Sequence, residues 1–339
     1  MAVPDPERLF PAEPLPSVGG TESQHNMGAF ILRRLLATVP VMLTVAVVVF
    51  LLLHLSPGDP AAIIAGDNAT DADIERVRGT LGLDKPLIVQ FLLWLGALLH
   101  GDLGASVFNK IPVWDLVSQR LEPTISLAGV TMLFAVAVAI PLGTIAAWKA
   151  GTWIDYLIMG IAVLAFSAPV FLIGYALVWR FARMWRLLPV QGYSPLSQGF
   201  TAWWQHLALP ALALGMVFAA LLARMTRSTM LDVLHEDYIR TARAKGLAPR
   251  AILLRHALRN ASVPIVTTIG LGIALLIGGV VVTESVFAIP GIGRLTIEAV
   301  TQRDYPVIQG VILIASLAYV LINLAIDVAY AFLDPRIRY

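Results

Sequence analysis

Apolar residues form six long runs that polar segments separate from one another. The runs occupy residues 35–53, 123–148, 156–179, 207–223, 261–283 and 305–326. Each holds about 17 to 26 residues, close to the length that a helix needs to cross the hydrocarbon core of a bilayer. Only helices and closed barrels can satisfy their backbone groups in lipid, and these runs lack the short alternation of barrel strands. The pattern predicts an all-α membrane protein with six transmembrane helices, of which the fourth is the shortest.

The polar segments include a tail and a long loop between the first two runs. Residues 1–28 are rich in proline and polar residues, which predicts a flexible tail before a helical domain at 29–339. The loop at 55–122 contains a polar helical pattern at 71–79 and a short apolar run at Leu87–Leu99. This run is too short to span, so we expect a helix at the membrane surface or against the bundle.

Basic residues predict the orientation of the chain in the membrane. The segment at 224–260 carries eight arginine and lysine residues against three acidic ones, so the positive-inside rule places it in the cytoplasm. Six spans then put both termini in the cytoplasm and the loop at 55–122 outside it, in a multi-pass protein of the inner (cytoplasmic) membrane. Arg180, Arg183 and Arg186 fall on the outer side and count against this arrangement.

Composition supports lipid as the solvent and excludes several kinds of chemistry. The chain is 58% apolar and 14% charged, whereas soluble domains carry about a quarter charged residues. A net charge of +2 is too small to indicate nucleic-acid binding. The chain has no cysteine, and its six histidines are scattered without metal-ligand spacing. No phosphate-binding GxxxxGK[ST] loop occurs, so we expect a non-enzymatic chain without its own ATPase, catalytic, metal or cofactor site.

A short basic segment between the fourth and fifth runs has helical periodicity. Four of its residues share one helix face at spacings of three and four: Tyr238, Thr241, Ala242 and Lys245. Asp237 can cap the first turn, and Gly246 ends the helix. Two interpretations stay open from these residues. The segment is either an ordinary solvated loop at a positive membrane face or a rigid helix that transmits a push from a soluble partner.

The same segment resembles the coupling loop of ABC-importer permeases, most closely those of the dipeptide/oligopeptide/nickel group. The resemblance rests on Asp-Tyr-Ile-Arg-Thr-Ala-Arg-Ala-Lys-Gly-Leu at 237–247, on Leu-Arg-His-Ala-Leu-Arg-Asn-Ala at 254–261 and on Pro264. Arg240, Thr241 and Ala242 stand where the general family has Glu-Ala-Ala, and its closing Ile-x-Leu-Pro piece is missing. Both departures resemble the peptide-transporter subgroup.

Further segments resemble that subgroup, and together they extend the resemblance over residues 29–339. They lie at 55–60, 101–106, 112–113, 284–287, 290–293, 303–306 and 334–338.

The resemblance implies the permease subunit of an ATP-driven importer. Its partners would be a second homologous permease, two cytoplasmic ATPase subunits that bind ATP and Mg²⁺, an extracytoplasmic binding protein, the lipid bilayer and a peptide substrate. The residues implied to contact the ATPase are Glu236, Asp237, Tyr238, Arg240, Thr241, Ala242, Lys245 and Gly246. A nickel or glutathione-like substrate stays open. A stand-alone secondary transporter is a more distant alternative, because it would need ionisable residues deep within several spans.

Two other groups of residues are candidates for the transport path and for docking of the binding protein. Glu284 follows the fifth run, and an ionisable group near membrane depth is a functional candidate, although it can equally be bonded to nearby loops. Ser167 and Pro169 predict a kink within the third run that bends the helix around a passage or serves packing alone. In the long outer loop, the segment with Asp102, Leu103 and Trp114 is either a docking site or a structural lid.

Overall fold

Helices form all the regular secondary structure in the residues that the structure describes. The computed structural model describes residues 27–55, 59–66, 69–80 and 82–333, so most of the predicted tail at 1–28 and the segment at 334–338 lie outside the described residues. The helices are α1 (Met27–Leu55), α2 (Pro60–Ala65), α3 (Asp71–Thr80), α4 (Leu87–Leu99), α5 (Val113–Trp148), α6 (Trp153–Ser167), α7 (Val170–Leu177), α8 (Phe200–Leu234), α9 (Asp237–Ala244), α10 (Pro249–Ala251), α11 (Leu258–Gly279), α12 (Val281–Val286), α13 (Ile292–Gln302) and α14 (Tyr305–Leu333). Short π-helical segments, Val178–Met184 and Ile252–Ala257, continue α7 and join α10 to α11.

The long apolar helices agree with the predicted membrane protein. Within the described residues, five are long and apolar enough to cross a membrane: α1, α5, α8, the α10–α11 unit and α14. The pair α6 and α7 brings the number to six when it is taken as one broken span. Five of the six predicted runs therefore fall on long apolar helices, and the third falls on the broken pair α6 and α7.

The third span is not the kinked helix that the sequence predicts. The chain bends by 100° between α6 and the unit formed by α7 and its π-helical extension, far more than a kink. Ala168 has extended backbone angles (φ −75°, ψ 131°) because the residue before a proline is disfavoured in the helical region. Pro169 also lacks an N–H to continue the helix. The disturbance predicted at Pro169 is therefore present, but it is a break between two helices and not a kink within one helix.

The fourth span is much longer than its apolar run and lies at the centre of the bundle. α8 has 35 residues, and 61% of its apolar window is buried, against 17% for α1 and α14. It contacts α5, α6, α7 and α11. α5 likewise begins at Val113, within the predicted loop at 55–122. Hydropathy marks the part of a helix that lipid surrounds, so both helices continue past their apolar runs into polar sequence.

Small residues allow α5 and α8 to approach closely. Gly143 of α5 faces the backbone of Ala223 and the side chain of Thr226, and a Cβ at Gly143 would lie 2.7 Å from the Ala223 oxygen. Gly215 of α8 similarly faces Phe134. Close packing of this kind is a main source of helix association in lipid, where the hydrophobic effect between helices is absent.

We expect Gly143→Ala to destabilise the bundle, because the new methyl group would push against backbone that cannot move aside. Overpacking at such a seam costs about 1–3 kcal/mol. Gly129→Ala is the matched control, since Gly129 lies on the same helix and a methyl group there would meet open space. The apparent melting temperature of the purified protein in detergent should fall for Gly143→Ala and stay constant or rise for Gly129→Ala. Equal melting temperatures would contradict the tight seam.

The surface helix α4 packs against α1 instead of standing free. Phe50 of α1 lies 5.3 Å from Phe91 and 5.7 Å from Trp94 of α4, measured between ring centroids. His54 Nε2 and the side-chain oxygen of Gln90 lie 2.9 Å apart, and the Gln90 amide donates to the backbone oxygens of the turn before α4. The helical patterns at 71–79 and at Leu87–Leu99 are both confirmed as helices.

Candidate functional site: a basic helix at the bundle end

The basic segment folds as a separate two-turn helix with defined ends. α9 begins after Glu236, whose backbone is extended, and ends before Gly246, whose φ is +76°. A left-handed residue at this position is the usual way to stop a helix. The N–H groups of Gly246 and Leu247 donate to the backbone oxygens of Arg243 and Ala242. Gly246 therefore fixes the direction in which the chain leaves α9.

The predicted cap by Asp237 is not formed. Glu236 occupies the cap position and its side chain makes no capping hydrogen bond. The Asp237 carboxylate instead accepts a hydrogen bond of 3.3 Å from the Arg240 guanidinium, one turn ahead. The helix start is thus held by tertiary contacts and not by its own side chains.

Four residues in α9 and just after it attach this helix to the bundle. Ile239 is fully buried in the main hydrophobic core, and Ala242 and Leu247 pack against that core. The Tyr238 hydroxyl accepts a hydrogen bond from the Asn260 side-chain amide at the start of α11. α9 is therefore joined to the end of α8 by the chain before it and to the start of α11 by this hydrogen bond.

The rest of the α9 surface is exposed and carries three basic residues, Arg240, Arg243 and Lys245, against two acidic ones, Glu236 and Asp237. The exposed predicted residues are Glu236, Asp237, Tyr238, Arg240, Thr241, Lys245 and Gly246. Ala242 is half-buried, so it belongs to the anchored face and not to the outer one. Leu254, which the prediction did not single out, adds an exposed apolar side chain close in sequence. Such a surface can be bound by a soluble protein without disturbing the core.

Glu284 lies at the opposite end of the bundle and is fully buried. Its Oε1 accepts a hydrogen bond of 2.8 Å from the Thr124 hydroxyl, and its Oε2 accepts one of 2.8 Å from the Arg294 N–H. Thr124 accepts in turn from the Ile292 N–H at 2.9 Å. Burial raises the pKa of Glu284, and these hydrogen bonds act in the opposite direction. Through these contacts Glu284 holds the start of α13. This is the structural role that the sequence left open as the alternative to a place in the transport path.

The remaining predicted residues lie at separate places. Ser167 and Pro169 are exposed at the break between α6 and α7. In the outer loop, Asp102 accepts from the Gly104 N–H at 2.8 Å, while Leu103 packs against the cluster of Val113 and its neighbours. Trp114 is 54% exposed. Leu103 is therefore structural in its contacts, whereas Trp114 is available to a partner.

Two acidic residues are buried and join distant parts of the chain, a role that the sequence analysis did not predict for them. Asp304 accepts hydrogen bonds from the Ser106 hydroxyl and from the Val107 N–H, which fixes the outer loop to the start of α14. Asp155 forms an ion pair with Arg227, 72 residues away. In the sequence, each of these residues is a carboxylate beside an apolar run. Their hydrogen-bond partners lie too far away along the chain to be predicted from that pattern.

Comparison with known proteins shows the family to which the chain belongs. The family profile described as "Binding-protein-dependent transport system inner membrane component" matches residues 139–339, and the profile of its N-terminal part matches residues 27–128. The chain belongs to this family. It is thus a multi-pass permease of the inner membrane, as the sequence predicted.

Curated relatives of this permease cover nearly all of its length. A probable peptide ABC transporter permease protein of Sinorhizobium fredii is 52% identical over 92% of this chain and 100% of its own length. A glutathione transport system permease protein of Escherichia coli is 45% identical over 91% of this chain and 99% of its own. The predicted resemblance to ABC-importer permeases of the peptide group is confirmed.

A solved structure supports the fold of the permease. An inward-facing form of the MetNI methionine ABC transporter aligns with a TM-score of 0.52 and 19% identity, over 65% of this chain and 96% of that one. At this identity the likeness concerns the fold alone.

Proposed function

We propose that this permease carries peptides across the inner membrane in an ATP-driven importer and that α9 is its coupling helix. The complex would contain a second homologous permease, two ATPase subunits that bind ATP and Mg²⁺ in the cytoplasm, and an extracytoplasmic binding protein that delivers the peptide. No catalytic residue is assigned to this chain. The observation that carries the proposal is α9, whose buried face is anchored by Ile239 while its other face is basic and exposed.

The geometry of α9 suits the transmission of force. A helix attached through Ile239, Tyr238 and Asn260 moves with α8 and α11 and does not bend away from them. Closure of two ATPase subunits would displace the two coupling helices and so tilt the spans between inward-open and outward-open states. ATP can shift this equilibrium only because the closed ATPase pair binds the two states with different affinity.

The proposed orientation places α9 and both chain ends in the cytoplasm and the loop at 55–122 outside. It rests on the excess of basic residues at 224–260. Peptide is the favoured substrate class because the relatives named above carry out peptide or glutathione transport according to their names, and glutathione is itself a small peptide. A nickel substrate is the remaining alternative from the sequence resemblance.

The test is ATP hydrolysis by the co-purified complex in lipid nanodiscs, with and without its binding protein loaded with di-, tri- or oligopeptides, glutathione or Ni²⁺. We expect stimulation by a peptide-loaded binding protein and uptake of the same peptide in proteoliposomes. If only Ni²⁺ stimulated the ATPase, the substrate would be nickel and not a peptide, and the proposal of an ATP-driven importer would still hold. A chain that purifies alone and moves solute without ATPase would overturn the proposal in favour of a secondary transporter.

We propose Trp114 as a contact for the binding protein, because it exposes a large apolar side chain on an outer segment that Asp304 holds in place. Aromatic side chains of this kind are frequent anchors of interfaces. Trp114→Ala should weaken binding-protein stimulation of the ATPase by about tenfold, the effect of losing about 1.4 kcal/mol. Trp179→Ala is the control, since Trp179 is 58% exposed on the lipid-spanning unit after α7. If the binding protein stimulated the Trp114→Ala and Trp179→Ala complexes equally, Trp114 would not be a docking contact, and the loop would be a structural lid.

A further inference from the structure

Two arginines of α8, one turn apart, hold the two ends of α6. Arg227 Nε and Nη2 donate to Asp155 Oδ1 and Oδ2 at 2.6 and 2.7 Å, at the start of α6. The Arg224 guanidinium lies over the Phe166 ring, 4.6 Å from its centroid, at the residue before α6 reaches its end at Ser167. α6 is therefore attached to α8 near both of its ends, by an ion pair at its start and a cation–π contact at its end.

The pair between Asp155 and Arg227 differs from the exposed ion pairs of the chain. The Asp155 side chain is 2% exposed, and its Oδ2 accepts a further hydrogen bond of 3.0 Å from the Gly151 N–H in the turn after α5. A guanidinium fork that bonds both carboxylate oxygens fixes distance and rotation together. By contrast, Arg34 of α1 donates through Nη2 to Oδ1 of Asp327 of α14 at 3.1 Å, and both of these side chains are more exposed than Asp155.

The buried pair lies on a continuous route from α9 to the other end of the bundle. Arg227 is seven residues, about 10 Å, before the end of α8, and α9 follows three residues after that end. Beyond α6 and the 100° bend, α7 packs on α12 where Gly174 meets the Phe287 ring. α12 carries Glu284, which holds the start of α13. α6 packs on α8, α7 packs on both α8 and α12, and α12 packs on α13. The ion pair and the direct packing of α7 on α8 therefore both connect α8 to the helices beyond the bend.

We infer that Asp155 and Arg227 are positioning residues that transmit the displacement of α9 through α8 to α6 and α7. This inference rests on the proposed role of α9 as coupling helix. The forked pair makes α8 and α6 move as one body, so a shift at α9 changes the position of α7 at the bend. Without the fork, α8 can slide on α6, and only the direct packing of α7 on α8 still passes the movement to α7.

The first test compares two variants that each remove one ion pair at the same end of the bundle. Asp155→Asn breaks the pair on the route, and Asp327→Asn breaks the pair between α1 and α14, which lies off it. In the reconstituted complex, Asp155→Asn should lower peptide uptake per ATP hydrolysed by about tenfold, within the usual range of coupling between distant sites. Asp327→Asn should keep this ratio within about twofold of the unmodified complex, as expected for an exposed pair.

The second test measures the movement of α9 and of α7 separately. A general loss of stability would affect both helices, whereas the inference predicts an effect on α7. Because the chain has no cysteine, Ala244→Cys on α9, Leu172→Cys on α7 and a reference Leu321→Cys on α14 can be spin-labelled selectively within it. In the unmodified background, trapping with a non-hydrolysable ATP analogue should change both distances to the reference. With Asp155→Asn, the distance from Ala244→Cys should still change fully, and the distance from Leu172→Cys should change clearly less than in the unmodified background.

Further variants keep the inference open to refutation if Asp155→Asn assembles poorly. Arg227→Lys keeps the charge but loses the fork, and we expect it to assemble and to show an intermediate uptake ratio. Asp155→Arg combined with Arg227→Asp should recover part of the ratio. The inference is overturned if these variants and Asp155→Asn leave both the uptake ratio and the movement of α7 unchanged. If the unmodified complex itself shows no stimulated ATPase, the proposed function is wrong, and the inference that rests on it is then wrong as well.

Discussion

Peptide uptake by the complex is expected to fall by at least about tenfold in Gly246→Pro, with the protein still inserted in the membrane. Proline fixes φ near about −65° and removes the N–H, whereas Gly246 has a φ of +76° and donates to the Arg243 oxygen. The chain after α9 would leave in a different direction, and the basic face would no longer meet its partner in the bound orientation. Uptake into proteoliposomes, normalised to the amount of assembled complex, measures the effect.

Two variants show whether backbone conformation at Gly246 is the cause. No atom lies within 4 Å of a Cβ built at Gly246, so a side chain fits and only φ is restrictive. Asparagine tolerates left-handed angles, and Gly246→Asn should therefore retain most of the uptake. Gly66→Pro is the matched control, because Gly66 also has a positive φ, open space and one N–H bond, but lies in the outer loop. Wild-type uptake in Gly246→Pro would refute the coupling role of α9.

The largest loss of stability is expected for Glu284→Ala. Removal of the carboxylate leaves the Thr124 hydroxyl and the Arg294 N–H buried without their acceptor. Leaving buried groups unpaired costs about 1–3 kcal/mol each, so the start of α13 should detach from α5. We expect a clear fall in the apparent melting temperature in detergent and less protein in the membrane fraction. Glu284→Gln keeps one acceptor oxygen and should lie between Glu284→Ala and the unmodified protein.

Glu298→Ala separates this effect from the loss of any glutamate near α13. Glu298 lies on α13 itself, is half-exposed and bonds Arg294 at 2.9 Å. Exposed pairs contribute about 1 kcal/mol or less, so its removal should hardly change the melting temperature. Equal losses for Glu284→Ala and Glu298→Ala would show that Glu284 does not hold the helix. A stable Glu284→Gln protein that assembles but transports nothing would instead support a place in the transport path.

The features that sequence reasoning predicted well are local ones. Tyr238, Thr241 and Lys245 follow a helical period, and Gly246 is a stop signal, so α9 could be placed almost to the residue. Its anchored face was less predictable, because the burial of Ile239 and Ala242 depends on helices far away in sequence. The eight proposed contact residues stay a prediction about partners.

Features that depend on tertiary packing were underestimated. Pro169 predicts a disturbance of the third span, but a 100° turn also needs the packing of α7 on α12, where Gly174 and Phe287 meet. The bond between Asp155 and Arg227 joins residues 72 positions apart, so no local pattern in the sequence pairs them. α8 was taken as a short span because hydropathy reports contact with lipid and not the length of a helix.

The length of α8 determines whether α9 lies within the bilayer or in the water beyond it. Its 35 residues extend over about 52 Å, whereas the hydrocarbon core is about 30 Å thick. With Ala223 at the edge of the core, Leu234 lies about 16 Å further along the axis, beyond a headgroup layer of about 5–8 Å. The surface of α9 is therefore in water, where charges are screened over about 8 Å at physiological ionic strength. If α9 binds an ATPase subunit as proposed, we expect salt to weaken that contact at Arg240 and Lys245 while the helix packing inside the lipid stays intact.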